Sequence, residues 1–262
     1  YANLRVNGSF RRFLVHRMGS TGSAWLAKLL NSHPDVFCSH EGVIARVYPA
    51  QDCTENAIFD FVEFFSWDTK HEAYRAVGDV GSVWTGHVAY LPFTTALLTR
   101  HPARLLRTRL SVYPGDQSFT SIPHESAKCI REIWGIDLNA EAPVDRMFLN
   151  DLLIFTSQAC AFEKTDMVMR IEDLQDVECC RRTLSALTGQ EYDGELVAES
   201  IERRINQRSG LSRKPISEVV SAFSPRQRDW YQSILRDVVP YLGYELLEEA
   251  DDPSWTESRV LC

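Results

Sequence analysis

Residues 12–26 read Arg12-Phe13-Leu14-Val15-His16-Arg17-Met18-Gly19-Ser20-Thr21-Gly22-Ser23-Ala24-Trp25-Leu26. The apolar run Phe13-Leu14-Val15 is short and unbroken, the pattern of a strand buried on both faces. Glycines Gly19 and Gly22 and hydroxyl residues Ser20, Thr21 and Ser23 follow it. Trp25, Leu26, Leu29 and Leu30 then recur at helical spacing. A strand, a Gly/Ser/Thr turn and a helix aim free backbone N–H groups and the positive helix end at one point. That arrangement binds phosphate or sulfate. An ordinary strand-to-helix connection has the same composition, and this stretch alone does not separate the two.

Outward from the loop, the chain has 262 residues, enough for one large α/β domain or two small ones. Its 44% hydrophobic and 24% charged content is that of a soluble globular protein. The net charge of −8 gives no general attraction to nucleic acid or an anionic membrane, and it disfavours a polyanionic acceptor. A basic anion site must therefore be local. No apolar run reaches membrane-spanning length and no secretory signal stands at Tyr1, so the expectation is a cytoplasmic protein. The 7 cysteines show no framework spacing and no CxxC pair, which favours reduced thiols. No His/Cys cluster has zinc spacing, so no metal is expected.

Along the chain, helix 24–31 ends at Asn31-Ser32-His33-Pro34, where proline forbids continuation. Val36-Phe37-Cys38 reads as a strand leading to Ser39-His40-Glu41-Gly42, and 54–66 as a buried helix. Ala76-Val77-Gly78 and Ser82-Val83-Trp84 are short strand candidates around Asp79. Thr94–Thr99 is a strand running into Arg100-His101-Pro102. Residues 103–111 read as a helix whose Arg104, Arg107 and Arg109 face solvent, and 112–127 as a loop. A helix fills 144–161, then comes the strand Met167-Val168-Met169, then an amphipathic helix from Asp176 to Leu187 with Gly189 as its stop. Residues 202–217 read as a basic segment with little apolar content, expected to be mobile. Ser224-Pro225-Arg226-Gln227 opens the last helix as a capping box. Strands alternating with helices argue for one α/β domain over 1–262, with a mostly parallel sheet and helices on both faces.

Gly22-Ser23-Ala24-Trp25-Leu26-Ala27-Lys28-Leu29-Leu30-Asn31-Ser32-His33-Pro34 resembles the 5′-phosphosulfate loop of sulfotransferases that use 3′-phosphoadenosine 5′-phosphosulfate (PAPS). Four further stretches agree, in the family's order. Thr99-Arg100-His101-Pro102 with Thr108 resembles the 3′-phosphate motif. Arg170-Ile171-Glu172-Asp173-Leu174 is similar to the family's Arg-Tyr-Glu-Asp-Leu strand end. Arg213-Lys214, with Phe223-Ser224-Pro225-Arg226-Gln227 beyond, looks like the Arg-Lys-Gly segment and the helix start after it. Leu242-Gly243-Tyr244-Glu245 matches a frequent ending. Together these cover most of 10–245.

The resemblance implies that Gly19, Ser20, Thr21, Gly22, Ser23 and Ala24 hold the 5′ end of PAPS, with Trp25 stacked on adenine or else anchoring the helix. It implies that Arg100 and Thr108 grip the 3′-phosphate, aided by Arg213 and Lys214, and that the product is 3′-phosphoadenosine 5′-phosphate (PAP). Two departures stand out. The family's loop Lys/Arg falls on Ser20, so Arg17 is the candidate to fold back into that role. The family's Gly after Arg-Lys is Pro215. Transfer also needs a base for the acceptor's proton. Glu41 falls where tyrosylprotein sulfotransferases carry their catalytic glutamate. His87, in Thr85-Gly86-His87, resembles the Lys-Thr-His segment of cytosolic members, and His40 is a third candidate.

A P-loop kinase or NTPase would share the strand–loop–helix site, but its motif requires a lysine absent here. A scaffold that kept the fold and lost catalysis is the other rival, and Ser20 is its support. Loops 42–70 and 112–145 are expected to line a pocket for a small-molecule acceptor, with aromatics such as Trp67 and Trp134. Whether the group sulfonated is a hydroxyl or an amine is not legible, nor is the oligomeric state.

Overall fold

Arg11–Arg17 form strand β1, with every side chain from Arg12 onward buried. The computed structural model describes residues 11–42, 73–81, 93–112, 122–161, 165–203 and 214–247. The remaining strands are β2 (Val36–His40), β3 (Ala76–Gly81), β4 (Thr94–Thr99) and β5 (Met167–Arg170). The helices are α1 (Ser23–Leu30), α2 (Pro102–Val112), α3 (His124–Trp134) and α4 (Pro143–Ala161), then α5 (Val177–Thr188), α6 (Gly194–Arg203), α7 (Ile216–Ser221) and α8 (Pro225–Leu235). The five strands form one sheet in the order β2-β3-β1-β4-β5. Every neighbouring pair is parallel. This is an α/β fold with a parallel central sheet and helices around it. Parallel strands align their carboxyl ends along one edge, where open α/β sheets bind ligands. The loop after β1 opens there.

The chain divides into two compact units, one drawn from Tyr1–Thr99, Glu163–Asn206 and Thr256–Cys262, the other from Arg100–Phe162 and Gln207–Trp255. The first holds the sheet with α1, α5 and α6. Phe13 and Val15 of β1, Ala96 and Leu98 of β4, and Met167 and Met169 of β5 form one cluster with Trp25, Leu26, Leu30, Cys180, Leu184 and Val197. The alternate residues Leu14, Val77, Leu97 and Val168 are buried as well. Both strand faces are thus apolar, which is why Phe13-Leu14-Val15 is continuous rather than alternating. Helix α5 starts where the Asp176 carboxylate accepts from the Cys179 N–H at 2.7 Å. It stops at Gly189, whose φ of 72° suits glycine.

The second unit is helical. Ser224 and Gln227 complete the capping box of α8, and the Gln227 amide donates to Asp145 of α4 at 2.8 Å. Phe148, Phe223 and Tyr231 meet in ring contacts at 5.2 and 5.8 Å. His101 lies buried before α2, with Nδ1 accepting from the Ala103 N–H at 3.3 Å and Nε2 2.8 Å from the Glu245 carbonyl. Those roles put the proton on Nε2 and leave the ring neutral. Burial is the main reason its pKa falls to about 4, with Arg104 and Arg100 adding to the drop. Unfolding restores an ordinary value near 6.5, so the unfolded chain binds the extra proton between about pH 4 and pH 6.5. The stabilisation is present in full above that window and lost as pH falls through it, up to about 3 kcal/mol. Urea melts from pH 7 to pH 4.5 should show this loss, and a His101→Gln variant should show a flatter profile.

Several expectations change. The strand expected at Ala76-Val77-Gly78 runs on through Asp79 to Gly81. Helix α3 begins at His124, inside the stretch read as loop, and Trp134 is its last residue. Helices α6 and α7 occupy Gly194–Arg203 and Ile216–Ser221, at the two ends of the stretch read as basic and mobile. Arg104 is buried and donates to the Lys214 carbonyl at 3.1 Å. Arg109 pairs with the buried Asp151 at 2.5 Å. Neither is the solvated helix residue that its charge suggested. Cys38, Cys129 and Cys180 are free thiols, but Cys179 is disulfide-bonded, against the expectation of reduced cysteines throughout. Burial pushes the Cys180 thiol up to about 12, so it packs as an apolar group. The 54–66 helix, Ser82-Val83-Trp84 and most of the expected acceptor loops lie outside the described residues. Among the described residues no helix is long and apolar enough to cross a membrane.

Candidate functional site

The loop from Arg17 to Ser23 owes its shape to two residues in the left-handed region, Ser20 at φ 69° and Gly22 at φ 85°. The buried Thr21 hydroxyl donates to the Met18 carbonyl at 2.8 Å and closes the turn from within. Gly22 is the N-cap of α1, and its carbonyl accepts from the Leu26 N–H at 3.1 Å. The first α1 N–H groups have no side-chain cap here. They and the positive helix end are what an anion would meet.

Gly22 is required on two counts. Its φ suits only glycine without strain, and an added Cβ would lie 3.1 Å from Ile171 Cδ1 at the end of β5. Gly22→Ala should therefore cost roughly 1–2 kcal/mol of stability. A chemical-denaturation midpoint unchanged from wild type would contradict this. The strand end that packs on Gly22 is braced in turn. Arg170 forks onto Asp173 with contacts of 2.5 and 2.9 Å. The Ile171 N–H donates to the Thr99 carbonyl at 3.0 Å. The Arg170–Leu174 stretch thus supports the loop from behind.

At the front of the loop the structure brings two sequence candidates together. Arg17, buried at the end of β1, is ion-paired with Glu41, which follows β2 and keeps its side chain 48% exposed. Glu41 itself has φ 59°, uncommon for a residue with a side chain. Its N–H still donates to the Val80 carbonyl at 3.1 Å. Beside it, His40 Nε2 and Ser23 Oγ are hydrogen-bonded at 3.0 Å. Partial burial lowers the His40 pKa, and the Arg17 charge lowers it further, so the ring is neutral at neutral pH. The Ser23–His40 contact is a feature that sequence spacing did not disclose. Trp25 is 6% exposed, and its indole N–H donates to the Ser200 carbonyl at 2.9 Å. That is the helix-anchor arrangement.

In the second unit, Arg100 Nη1 donates to Thr108 Oγ1 at 3.3 Å, and Thr108 Oγ1 donates to the Arg104 carbonyl at 2.8 Å. The eight-residue spacing read from the sequence is thus a contact. Lys214 is half exposed and pairs with Glu218. The buried Arg104 that holds the Lys214 carbonyl escaped sequence reasoning. The only hint is that it stands four residues before Thr108, one helical turn away. His87 and Arg213 lie outside the described residues.

No protein-family model matches the chain, and no curated protein matches it in sequence. Among solved structures it is similar to a sulfotransferase from Alicyclobacillus acidocaldarius, at 15% identity with a TM-score of 0.49. That likeness covers 94% of this chain and 99% of the other. At such distance it identifies neither family nor activity.

Proposed function

We propose that this chain, acting as one catalytic domain over 1–262, transfers a sulfuryl group from PAPS to a hydroxyl or amine of a small-molecule acceptor. The observation that carries the reading is the meeting of three groups at the carboxyl edge of the sheet. These are an uncapped helix start, the guanidinium of Arg17 and the carboxylate of Glu41. Sulfuryl transfer asks for an anion cradle, a cation at the leaving phosphate and a base, all in one place.

In the proposed reaction the acceptor oxygen or nitrogen attacks sulfur in line. The bond from sulfur to the 5′-phosphate oxygen breaks, PAP departs, and Glu41 takes the acceptor's proton. Arg17 takes the role that the family gives to a basic residue at the position of Ser20. An incoming phosphosulfate competes with Glu41 for the same guanidinium, so cosubstrate binding would release the carboxylate for its task. Residues 19–25 hold the 5′ end, with Trp25 fixing the helix from the core side. Arg100 and Thr108 hold the 3′-phosphate, with Arg213 and Lys214 assisting. No metal takes part on this reading.

A magnesium-nucleotide kinase has one observation in its favour: Asp79 stands on β3, the strand beside β1. Its Oδ1, however, is engaged by the Ser39 hydroxyl and the Gly42 N–H.

Calorimetry with PAP, ADP and ATP, with and without Mg²⁺, tests the cosubstrate. PAP should bind in preference to ADP, and without metal. Equal affinity for the two would remove the 3′-phosphate assignment, and tight ATP–Mg²⁺ binding would favour the kinase. Turnover is then sought with PAPS over an acceptor panel, read by mass spectrometry. PAP binding with no turnover on any acceptor would favour a scaffold.

A further inference from the structure

We infer that Asp79 is a positioning residue for the proposed base, holding the backbone corner that carries Glu41. This rests on the sulfuryl-transfer reading. Asp79 is fully buried in β3, where a carboxylate is costly unless its oxygens are engaged. Two of its contacts reach the corner after β2. Oδ1 accepts the Ser39 hydroxyl at 2.5 Å and the Gly42 N–H at 3.0 Å. Ser39 and Gly42 bracket His40 and Glu41 on either side. One carboxylate oxygen therefore ties together the two ends of the turn from which Glu41 projects.

The surroundings are shaped for this group. A Cβ on Gly81 would collide with Asp79 Oδ2 and come within 3.5 Å of the Glu41 Cα. A Cβ on Gly42 would fall 2.9 Å from the Ser39 side chain. Both glycines are needed for the carboxylate to lie against the corner. What the clamp holds is an unfavourable conformation, since Glu41 sits at φ 59°. A left-handed residue with a side chain is sterically disfavoured and persists only where its neighbours enforce it. Charge-assisted bonds from a buried carboxylate to both sides of the turn are strong enough to enforce it. Released from Asp79, the turn is expected to relax and carry the Glu41 carboxylate away from the loop.

The test is a cycle of Asp79→Asn, Glu41→Gln and the double variant, with Ser39→Ala as a second way to loosen the clamp. Turnover with PAPS, KM for PAPS and PAP affinity are measured for each. Asp79→Asn should lower kcat by roughly 10-fold or more, as a misplacement near 1 Å does, while KM and PAP affinity stay within about two-fold. Ser39→Ala should shift kcat in the same direction. In the Glu41→Gln background, Asp79→Asn should cost no further turnover, because a residue that acts through Glu41 has nothing left to position. A full additional loss in the double variant would show that Asp79 supports the fold generally, and would overturn the proposal. Wild-type kcat in both Asp79→Asn and Ser39→Ala would overturn it too. A wild-type protein without PAPS turnover, or a Glu41→Gln protein with normal turnover, would instead remove the underlying reading. If Asp79→Asn does not fold, the same cycle is run with Ser39→Ala.

Discussion

Glu41→Gln should reduce turnover with PAPS roughly 10²–10⁴-fold, the loss typical of removing a general base. The amide keeps the shape of the side chain and loses the ability to take a proton. Glu41 keeps its side chain 48% exposed, so replacing it empties no core space, and thermal stability should stay close to wild type. The change also removes the charge with which Arg17 is ion-paired. PAP affinity should stay close to wild type. That pairing of a large kcat loss with intact binding separates a base from a residue that merely shapes the loop. His87→Ala should cost less than Glu41→Gln. Near-normal turnover in Glu41→Gln would pass the role to His87.

The second large effect is expected at Arg100. Its guanidinium is oriented by Thr108, whose hydroxyl is itself held by the Arg104 carbonyl one turn back. A cation fixed this way loses little freedom on gripping a phosphate, so the contact should be worth roughly 1.5–3 kcal/mol. Arg100→Ala should weaken PAP binding by the matching factor, about 10- to 150-fold. ADP, which lacks the 3′-phosphate, should bind almost as before. An equal loss for both ligands would make Arg100 structural. Thr108→Val should give a smaller loss of the same selectivity, since it leaves the charge and removes only its guide.

Much of the fold was legible because parallel strands buried on both faces leave a blunt signal. Phe13-Leu14-Val15, Thr94–Thr99 and Met167-Val168-Met169 are such runs, and all three are strands. Punctuation was equally legible at Asp176, Gly189 and the Ser224–Gln227 box, where side chain and backbone meet within four residues. What escaped depends on partners far away in sequence. Asp79 broke the apolar run of its strand, and contacts from Ser39 and Gly42, about forty residues earlier, hold its carboxylate there. Arg104 and Arg109 read as solvated because the groups that receive them, the Lys214 carbonyl and Asp151, stand 110 and 42 residues away. The site divides the same way. The loop residues and the Arg100–Thr108 spacing are local patterns, whereas the Arg17–Glu41 pair and the Ser23–His40 contact join β1 and α1 to the end of β2.

The parallel register has a consequence for how the molecule reaches this state. Among the described residues every strand pairing is parallel, so none of these pairings is a hairpin. Each pairing closes a long loop before any contact repays the entropy, which makes sheets of this kind slow to assemble. Strand β5 comes last, and its Ile171 is what Gly22 packs against. A chain emerging from a ribosome would carry the whole Arg17–Ser23 segment long before that buttress exists. The left-handed turn at Ser20 and Gly22 would therefore be among the last parts to set, and ligand binding would lag the helical signal during refolding.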